Sequence, residues 1–138
     1  MFEFEVAKVH YRGRRLDAFE QLAIATKFGV VLSRMAMLKK EGKRKELSAF
    51  TRAITLLTGE LNNDDREYVF NRAMSSVQRR QQDGQSYAPV MVNGIVAYND
   101  IDLPQMIEIL WYVLEGNKLI DFFDLPPSTS EGGEDQTS

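Results

Sequence analysis

Cysteine is absent from this 138-residue chain, and histidine occurs only once, at His10. Without cysteine the chain has no disulfide, no thiolate metal site and no cysteine nucleophile. The absence also fits a reducing compartment. A single histidine excludes catalysis by a pair of histidines and any metal site built from several of them. Sites built on cysteine and sites built on several histidines are therefore excluded.

Long apolar runs and excess positive charge are missing as well. No stretch reaches the roughly 18 consecutive apolar residues that indicate a transmembrane helix, and the N-terminus lacks the apolar region of a signal peptide. The net charge is −3, whereas proteins that bind nucleic acid without sequence preference are usually basic. We therefore predict no membrane partner and do not favour nucleic acid as the main partner.

Motifs for catalysis or cofactor binding are also lacking. No glycine-rich phosphate loop follows a predicted strand, and "GKRK" at 42–45 lacks the P-loop spacing. We interpret His10 as a surface partner of Glu5 on the polar face of a strand. Asp100 and Asp102 are interpreted as closing a hairpin and capping a helix, not as a paired catalytic or metal site. The sequence thus predicts no catalytic residue, no metal and no cofactor.

The N-terminus alternates apolar and acidic residues and predicts a β-hairpin over residues 2–13. A tight turn at Ala7-Lys8 gives one apolar and one charged face, although a longer or bulged connection is an alternative, since Ala-Lys suits a two-residue turn poorly. The predicted cross-strand pairs are Val6–Val9, Glu5–His10, Phe4–Tyr11 and Glu3–Arg12.

A second hairpin is predicted over residues 89–98, "PVMVNGIVAY". Asn93-Gly94 is the strongest short-range signal for a two-residue turn, because both central residues of a type I′ turn need positive φ. The predicted register pairs Val92 with Ile95, Val90 with Ala97, Met91 with Val96 and Pro89 with Tyr98. Both faces are apolar. One should pack on the helix that contains Ile107 and Leu110, and the other needs a second cover.

Four helices account for most of the remaining chain. The first is capped by Asp17 and Glu20 and runs to about Lys40, either unbroken or divided at Gly29. Its predicted core stripe is Phe19, Leu22, Ala23, Leu32, Met35 and Ala36.

The second helix begins near Leu47 and ends at Thr58-Gly59. The third is capped by Asn63 or Asp64 and extends through "SSVQRRQ" at 75–81. The fourth is capped by Asp102, has Leu103, Met106, Leu110 and Val113 as its predicted core stripe, and ends near Gly116-Asn117.

These elements predict an α+β fold that is mainly α, with about four helices, an N-terminal β-hairpin and a second β-hairpin near 89–98. We expect one globular domain over 1–125 and a disordered acidic and polar tail over 126–138, since that stretch has no apolar residue. The preferred arrangement joins both hairpins in one small sheet packed by the helices.

Three elements are more apolar than a surface position requires: the first helix, the hairpin at 89–98, and "ILWYVL" at 109–114. A compact core could cover them all. The alternative is a groove or oligomer interface that takes an apolar helix or strand from a partner. The candidate surface for a partner or second copy comprises Phe28, Val31, Met35, Met37, Met91, Val92, Ile95, Val96, Trp111 and Tyr112.

Basic residues offer a second hypothesis. Arg12, Arg14 and Arg15 lie close together, and the connector at 39–45 is rich in lysine. These groups could serve a small regulatory or nucleic-acid-binding module. Glu41 and Glu46 interleave the connector, however, which is typical of a solvated charged segment.

Two long blocks resemble a known family. The N-terminal "FEFEV…YRGRRLDAFEQL" and the later "DDREYVFNRAMSSVQRRQ…YAPV…NDIDLPQMIEILWYVLEGN…DFF" are similar to small phage tail assembly chaperones. Together the blocks cover most of the chain outside the 40–60 region and the tail.

The resemblance implies a non-enzymatic role in phage or prophage tail morphogenesis. Members are mainly helical, tend to form homo-oligomers and are encoded between the tail-tube and tape-measure genes. They are thought to coat the hydrophobic, helical tape-measure protein and to recruit tail-tube protein. This implies action in the cytoplasm of the bacterial host and absence from the mature virion. The resemblance supplies no catalytic residue.

Overall fold

The computed structural model describes residues 1–42 and 47–124, apart from the side chain of Leu47. The predicted disordered tail at 126–138 lies outside the described residues. The strands are β1 (Phe2–Val6), β2 (Val9–Gly13), β3 (Val77–Arg80), β4 (Tyr87–Pro89), β5 (Met91–Val92) and β6 (Ile95–Val96). The helices are α1 (Ala18–Lys40), α2 (Leu47–Thr58), α3 (Asn63–Ser75), α4 (Leu103–Gly116) and α5 (Leu119–Phe122). The predicted α+β class, mainly α, is confirmed.

The first hairpin has the predicted register along its whole length, from Phe2 opposite Gly13 to Val6 opposite Val9. Ala7 and Lys8 both have positive φ, at 51° and 66°, so the connection is a two-residue turn and not a longer or bulged one. The apolar face determines this register despite the poor turn residues. Phe4 stacks on Tyr11 with 5.6 Å between ring centroids.

The third helix is shorter than predicted. It is capped by Asn62, not Asn63 or Asp64, and ends at Ser75. Ser76 caps its C-terminus, and the Ser76 hydroxyl donates to the Ala73 carbonyl. The prediction of helix through residue 81 was wrong because 77–80 form β3, which β2 and β4 flank on either side. Backbone pairing to both neighbours outweighs the helix propensity of a short polar segment.

The two hairpins do not share a sheet. The larger sheet has the order β1-β2-β3-β4, and β5-β6 form a separate pair. Asn93-Gly94 makes the predicted turn, with Met91 opposite Val96 and Val92 opposite Ile95. The outer part of the predicted register was wrong, because Pro89 pairs with Gln78 of β3 and not with Tyr98. The strand β5 packs on α3.

Helix α1 begins with the predicted capping box and continues unbroken past Gly29 to Lys40. The Phe123 ring lies 3.7 Å from the position of a Cβ on Gly29, which is an ordinary van der Waals distance, so the packing does not require a glycine here. The residues of α1 that are buried are Ile24, Phe28, Val31, Leu32, Met35 and Ala36. The N-terminal half of the predicted stripe was wrong, since Phe19 and Leu22 are exposed. Apolar residues occupy both faces of α1, so their spacing alone does not identify the buried one.

Helix α4 is central to the core and contacts α2, α3, α5 and β1. Its start agrees with prediction: Asp102 is the N-cap and Pro104 lies in the first turn. The apolar segment at 109–114 is core, with Trp111 packed edge-on against Phe50 at 4.9 Å. Leu103, predicted to lie in the core stripe, is exposed because it is the first residue of α4 and lies at the rim of a surface cavity.

Candidate protein-binding surfaces

Four of the ten candidate surface residues lie in the core: Phe28, Val31, Met35 and Trp111. Each is at most 2% exposed, so none can contact a partner while the chain keeps this fold. Tyr112, Met91 and Val96 are partly buried and pack against the core. The surplus of apolar residues in these positions is therefore explained largely by core packing.

The tip of the second hairpin is accessible. Val92 and Ile95 face each other across the β5–β6 turn, and their exposed fractions are 49% and 70%. Met91 and Val96, on the other face, are half-buried. The face that needs an additional cover is therefore that of Val92 and Ile95.

Helix α1 carries a second apolar surface, opposite to its core face. Phe19, Leu22, Val30 and Met37 are exposed, and the exposed fraction reaches 84% at Phe19 and 71% at Val30. We call the row formed by Phe19, Ala23, Thr26, Val30, Ser33 and Met37, with Leu22 at its edge, the outer stripe. Of these residues only Met37 belongs to the predicted surface.

The outer stripe is long and regular. Its members repeat at alternating intervals of four and three residues, which places them on one side of a helix. From Phe19 to Met37 the helix rises about 27 Å. The smaller residues Ala23, Thr26 and Ser33 lie between the large side chains and allow a second helix to approach closely. This interval pattern was visible in the sequence but overlapped with that of the core face.

A third apolar surface lies between α2 and the start of α4. Leu56 and Leu103 are exposed at the rim of a cavity of about 250 Å³ that Pro104 and threonines of α2 also line. A neighbouring cavity of about 430 Å³ shares Ser48, Thr51 and Pro104 and extends to the β1–β2 turn. This region is concave, in contrast to the convex stripe on α1.

The acidic residues near the second hairpin have structural partners. Asp100 accepts two hydrogen bonds from Arg79, at 2.8 and 2.9 Å, and these bonds lower the pKa of the Asp100 carboxyl. The Arg79 guanidinium also lies 4.4 Å from the centroid of the Tyr98 ring. Asp102 accepts from the Gln105 amide as the cap of α4. Within residues 1–42 and 47–124 no three metal-ligating side chains lie together.

The basic groups of the alternative hypothesis are dispersed and largely paired. Arg12 donates to Gln78 and stacks over the Tyr87 ring, while Arg14 pairs with Glu20 at 3.0 Å. Lys39 lies between two carboxylates, at 2.9 Å from Glu115 and 3.2 Å from Asp121. Arg15 is exposed, and residues 43–45 lie outside the described part of the chain. Among the described basic residues of this hypothesis, Arg12, Arg14 and Lys39 therefore already have partners.

By length and composition alone, α1 could cross a membrane. Its inner face, however, includes Ile24, Phe28 and Leu32, which are fully buried against the rest of the protein. A helix that packs one face in a protein core passes the same test without entering a membrane. The apolarity of α1 is therefore divided between the core and the outer stripe.

Comparison with known proteins gives one family. No curated protein and no solved structure matches the chain significantly. A family model described as phage tail assembly chaperone protein matches residues 7–130. The match includes every helix and strand from β2 to α5. The chain belongs to the phage tail assembly chaperone family.

Proposed function

We propose that this chaperone binds the hydrophobic, helical tape-measure protein, keeps it soluble, and helps to recruit tail-tube protein. The observation that carries the proposal is the outer stripe of α1, whose large apolar side chains are exposed. Members of this family act in the host cell during assembly and are generally non-catalytic. We place the activity in the cytoplasm and expect a homo-oligomer with no cofactor.

Helix-on-helix packing suits both the outer stripe and the apolar face of a helical client. A client helix with apolar residues at intervals of three and four would place them against Phe19, Val30 and Met37. Fully burying one large apolar side chain contributes about 1.5–3 kcal/mol to the free energy of binding. Several such side chains must be buried together to offset the entropy lost on association. A client helix of about 54 Å or more would accommodate two copies end to end, since each stripe is about 27 Å long.

The hairpin tip adds a smaller apolar contact. Val92 and Ile95 are exposed at the end of β5 and β6 and would extend the area available to a client or a tube subunit. The half-buried Met91 and Val96 lie on the opposite face of this hairpin and would support the contact. The net charge of −3 would keep the complex soluble by repulsion between copies.

Co-expression with the tape-measure protein tests the proposal. We expect the wild-type chain to raise the soluble yield of the client at least fivefold and to co-purify with it, and Val30→Lys to abolish both effects. Val31→Lys is the control that shows how much activity unfolding alone removes. Val31 is fully buried, and a lysine there should lower the free energy of unfolding by more than about 3 kcal/mol. A folded Val30→Lys variant that still solubilises the client would exclude the outer stripe. No change with the wild-type chain would refute the proposed function itself.

A further inference from the structure

The face of the four-stranded sheet that points away from the core carries two arginines on neighbouring strands. Tyr11 and Val77 are buried, so the residues that follow them in β2 and β3 point outwards. These are Arg12 and Gln78, and Arg80 lies two residues further along β3 on the same side. We use the name outer sheet cluster for Arg12, Gln78, Arg80 and Tyr87. The cluster shares no residue with the outer stripe of α1.

Arg12 is held in place without a carboxylate. Its Nε donates to the Gln78 side-chain oxygen at 2.8 Å, and its guanidinium carbon lies 4.1 Å from the centroid of the Tyr87 ring. Glu3 is opposite Arg12 in the β1–β2 register, yet the guanidinium is directed towards β3 and β4 instead. Its two Nη groups form no hydrogen bond or ion pair with residues 1–42 or 47–124. The guanidinium is therefore oriented while these donors stay available.

Arg80 lies beside this pair and borders open space. It is the cross-strand partner of Tyr87, whose ring the other arginine covers. It forms no hydrogen bond or ion pair within the described part of the chain, and it lines a cavity of about 490 Å³ at the end of β3. The other charged residues at this cavity are occupied: Arg79 pairs with Asp100, and Asp83 accepts three hydrogen bonds within its own turn.

From these contacts we propose that the outer sheet cluster binds an extended acidic peptide segment of a partner protein, with one carboxylate at Arg12 and another at Arg80. A guanidinium matches the two oxygens of a carboxylate. The two arginines are diagonal neighbours across β2 and β3, a spacing of about 7–8 Å. Alternate residues of an extended peptide point to one side about 6.8 Å apart. The preferred segment therefore has acidic residues at every second position.

The remaining charges on this face favour a short acidic peptide over a nucleic acid. Glu3 and Glu5 are exposed on the same side of the sheet, in the edge strand β1. Together with the net charge of −3 they would repel a continuous row of phosphates. A short segment that follows β2 and β3 avoids them. The inference goes beyond the proposed function, because it assigns a second partner to a surface outside the outer stripe.

Fluorescence anisotropy of the full chain with a rhodamine-labelled peptide tests this site. The peptide has glutamate at alternate positions, and its control has glutamine at the same positions. We expect at least tenfold tighter binding of the glutamate peptide, and at least a fivefold loss of affinity in Arg12→Gln and in Arg80→Gln. Arg34→Gln is the matched control, since it removes the same charge from an exposed position on α1 and should change the affinity less than twofold.

Three results would overturn the proposal. Equal affinity for the two peptides would show that carboxylates are not recognised. Equal losses in Arg34→Gln and Arg80→Gln would show general charge attraction without a site. Tighter binding of a single-stranded oligonucleotide than of the glutamate peptide would assign the cluster to nucleic acid. Val30→Lys should bind the glutamate peptide like the wild type, so failure of this site and failure of the client proposal are distinguishable.

Discussion

At the scale of single residues, Asn117 joins parts of the chain that are far apart in sequence. It is 2% exposed, and its amide oxygen accepts from the Leu16 backbone N–H at 2.8 Å. Its amide nitrogen donates to the Val113 carbonyl at the same distance. Asn117 thus caps α4 and holds the segment that leads into α1. The sequence indicated only the cap, because the contact with Leu16 depends on how distant segments pack.

Replacing Asn117 should therefore cost more than an ordinary helix cap. We expect Asn117→Ala to lower the free energy of unfolding by about 1–3 kcal/mol, since the buried Leu16 N–H loses its acceptor. Urea unfolding followed by circular dichroism measures this. Asn62→Ala, which removes the exposed cap of α3, is the control and should cost about 1 kcal/mol. A smaller loss at Asn117 than at Asn62 would contradict the assigned role.

Acid stability depends on Glu20. The hydrogen bond from Arg14 is the main reason that the pKa of Glu20 falls from 4.5 to about 2, with a further contribution from the capping-box bond to Asp17. A depressed carboxyl pKa stabilises the fold above the unfolded value, and this stabilisation is lost as the pH falls from about 4.5 towards 2.

Glu20→Gln should retain the capping box but lose this pH dependence. Between about pH 5 and pH 2.5, we expect the melting temperature of the variant to fall less than that of the wild type. Thermal melts at several pH values measure the difference. Parallel curves for the two proteins would show that Glu20 does not contribute to acid unfolding.

At the scale of elements, local sequence patterns predicted hairpins and helix caps better than they predicted which face of a helix is buried. Alternation and cross-strand pairing determine the register of β1–β2, and Asn93-Gly94 determines the second turn. The change from α3 to β3 was not predictable from 75–81, because the strands that flank β3 lie elsewhere in the sequence. The outer stripe was not predicted because α1 is apolar on two sides. Only the positions of the elements that pack on α1 show which side is buried.

The N-terminal strand is held to α4 by a close aromatic contact. The Phe2 ring lies between Gly13 and Gly116, so close that a Cβ on either glycine would clash with it. Gly116→Ala should cost about 1–3 kcal/mol, because the ring must move. Chemical unfolding of Gly116→Ala, Phe2→Ala and the double variant measures the coupling. The double variant should be more stable than the sum of the single losses predicts, and strict additivity would contradict the contact.

At the scale of the whole molecule, the chain buries a continuous apolar core and still leaves apolar side chains on three surfaces. The four-stranded sheet and α4 define the core, while α1 contributes one face to it and presents the other to solvent. This division accounts for the excess of apolar residues without a catalytic site.

The central claim is that the outer stripe of α1 captures the client. The most direct measurement is light scattering from a purified apolar tape-measure fragment diluted from denaturant, with increasing wild-type chaperone, Val30→Lys or Leu56→Lys. The account predicts that the wild type and Leu56→Lys suppress aggregation equally, and that Val30→Lys needs at least a tenfold higher concentration. Equal suppression by folded Val30→Lys and the wild type would contradict it.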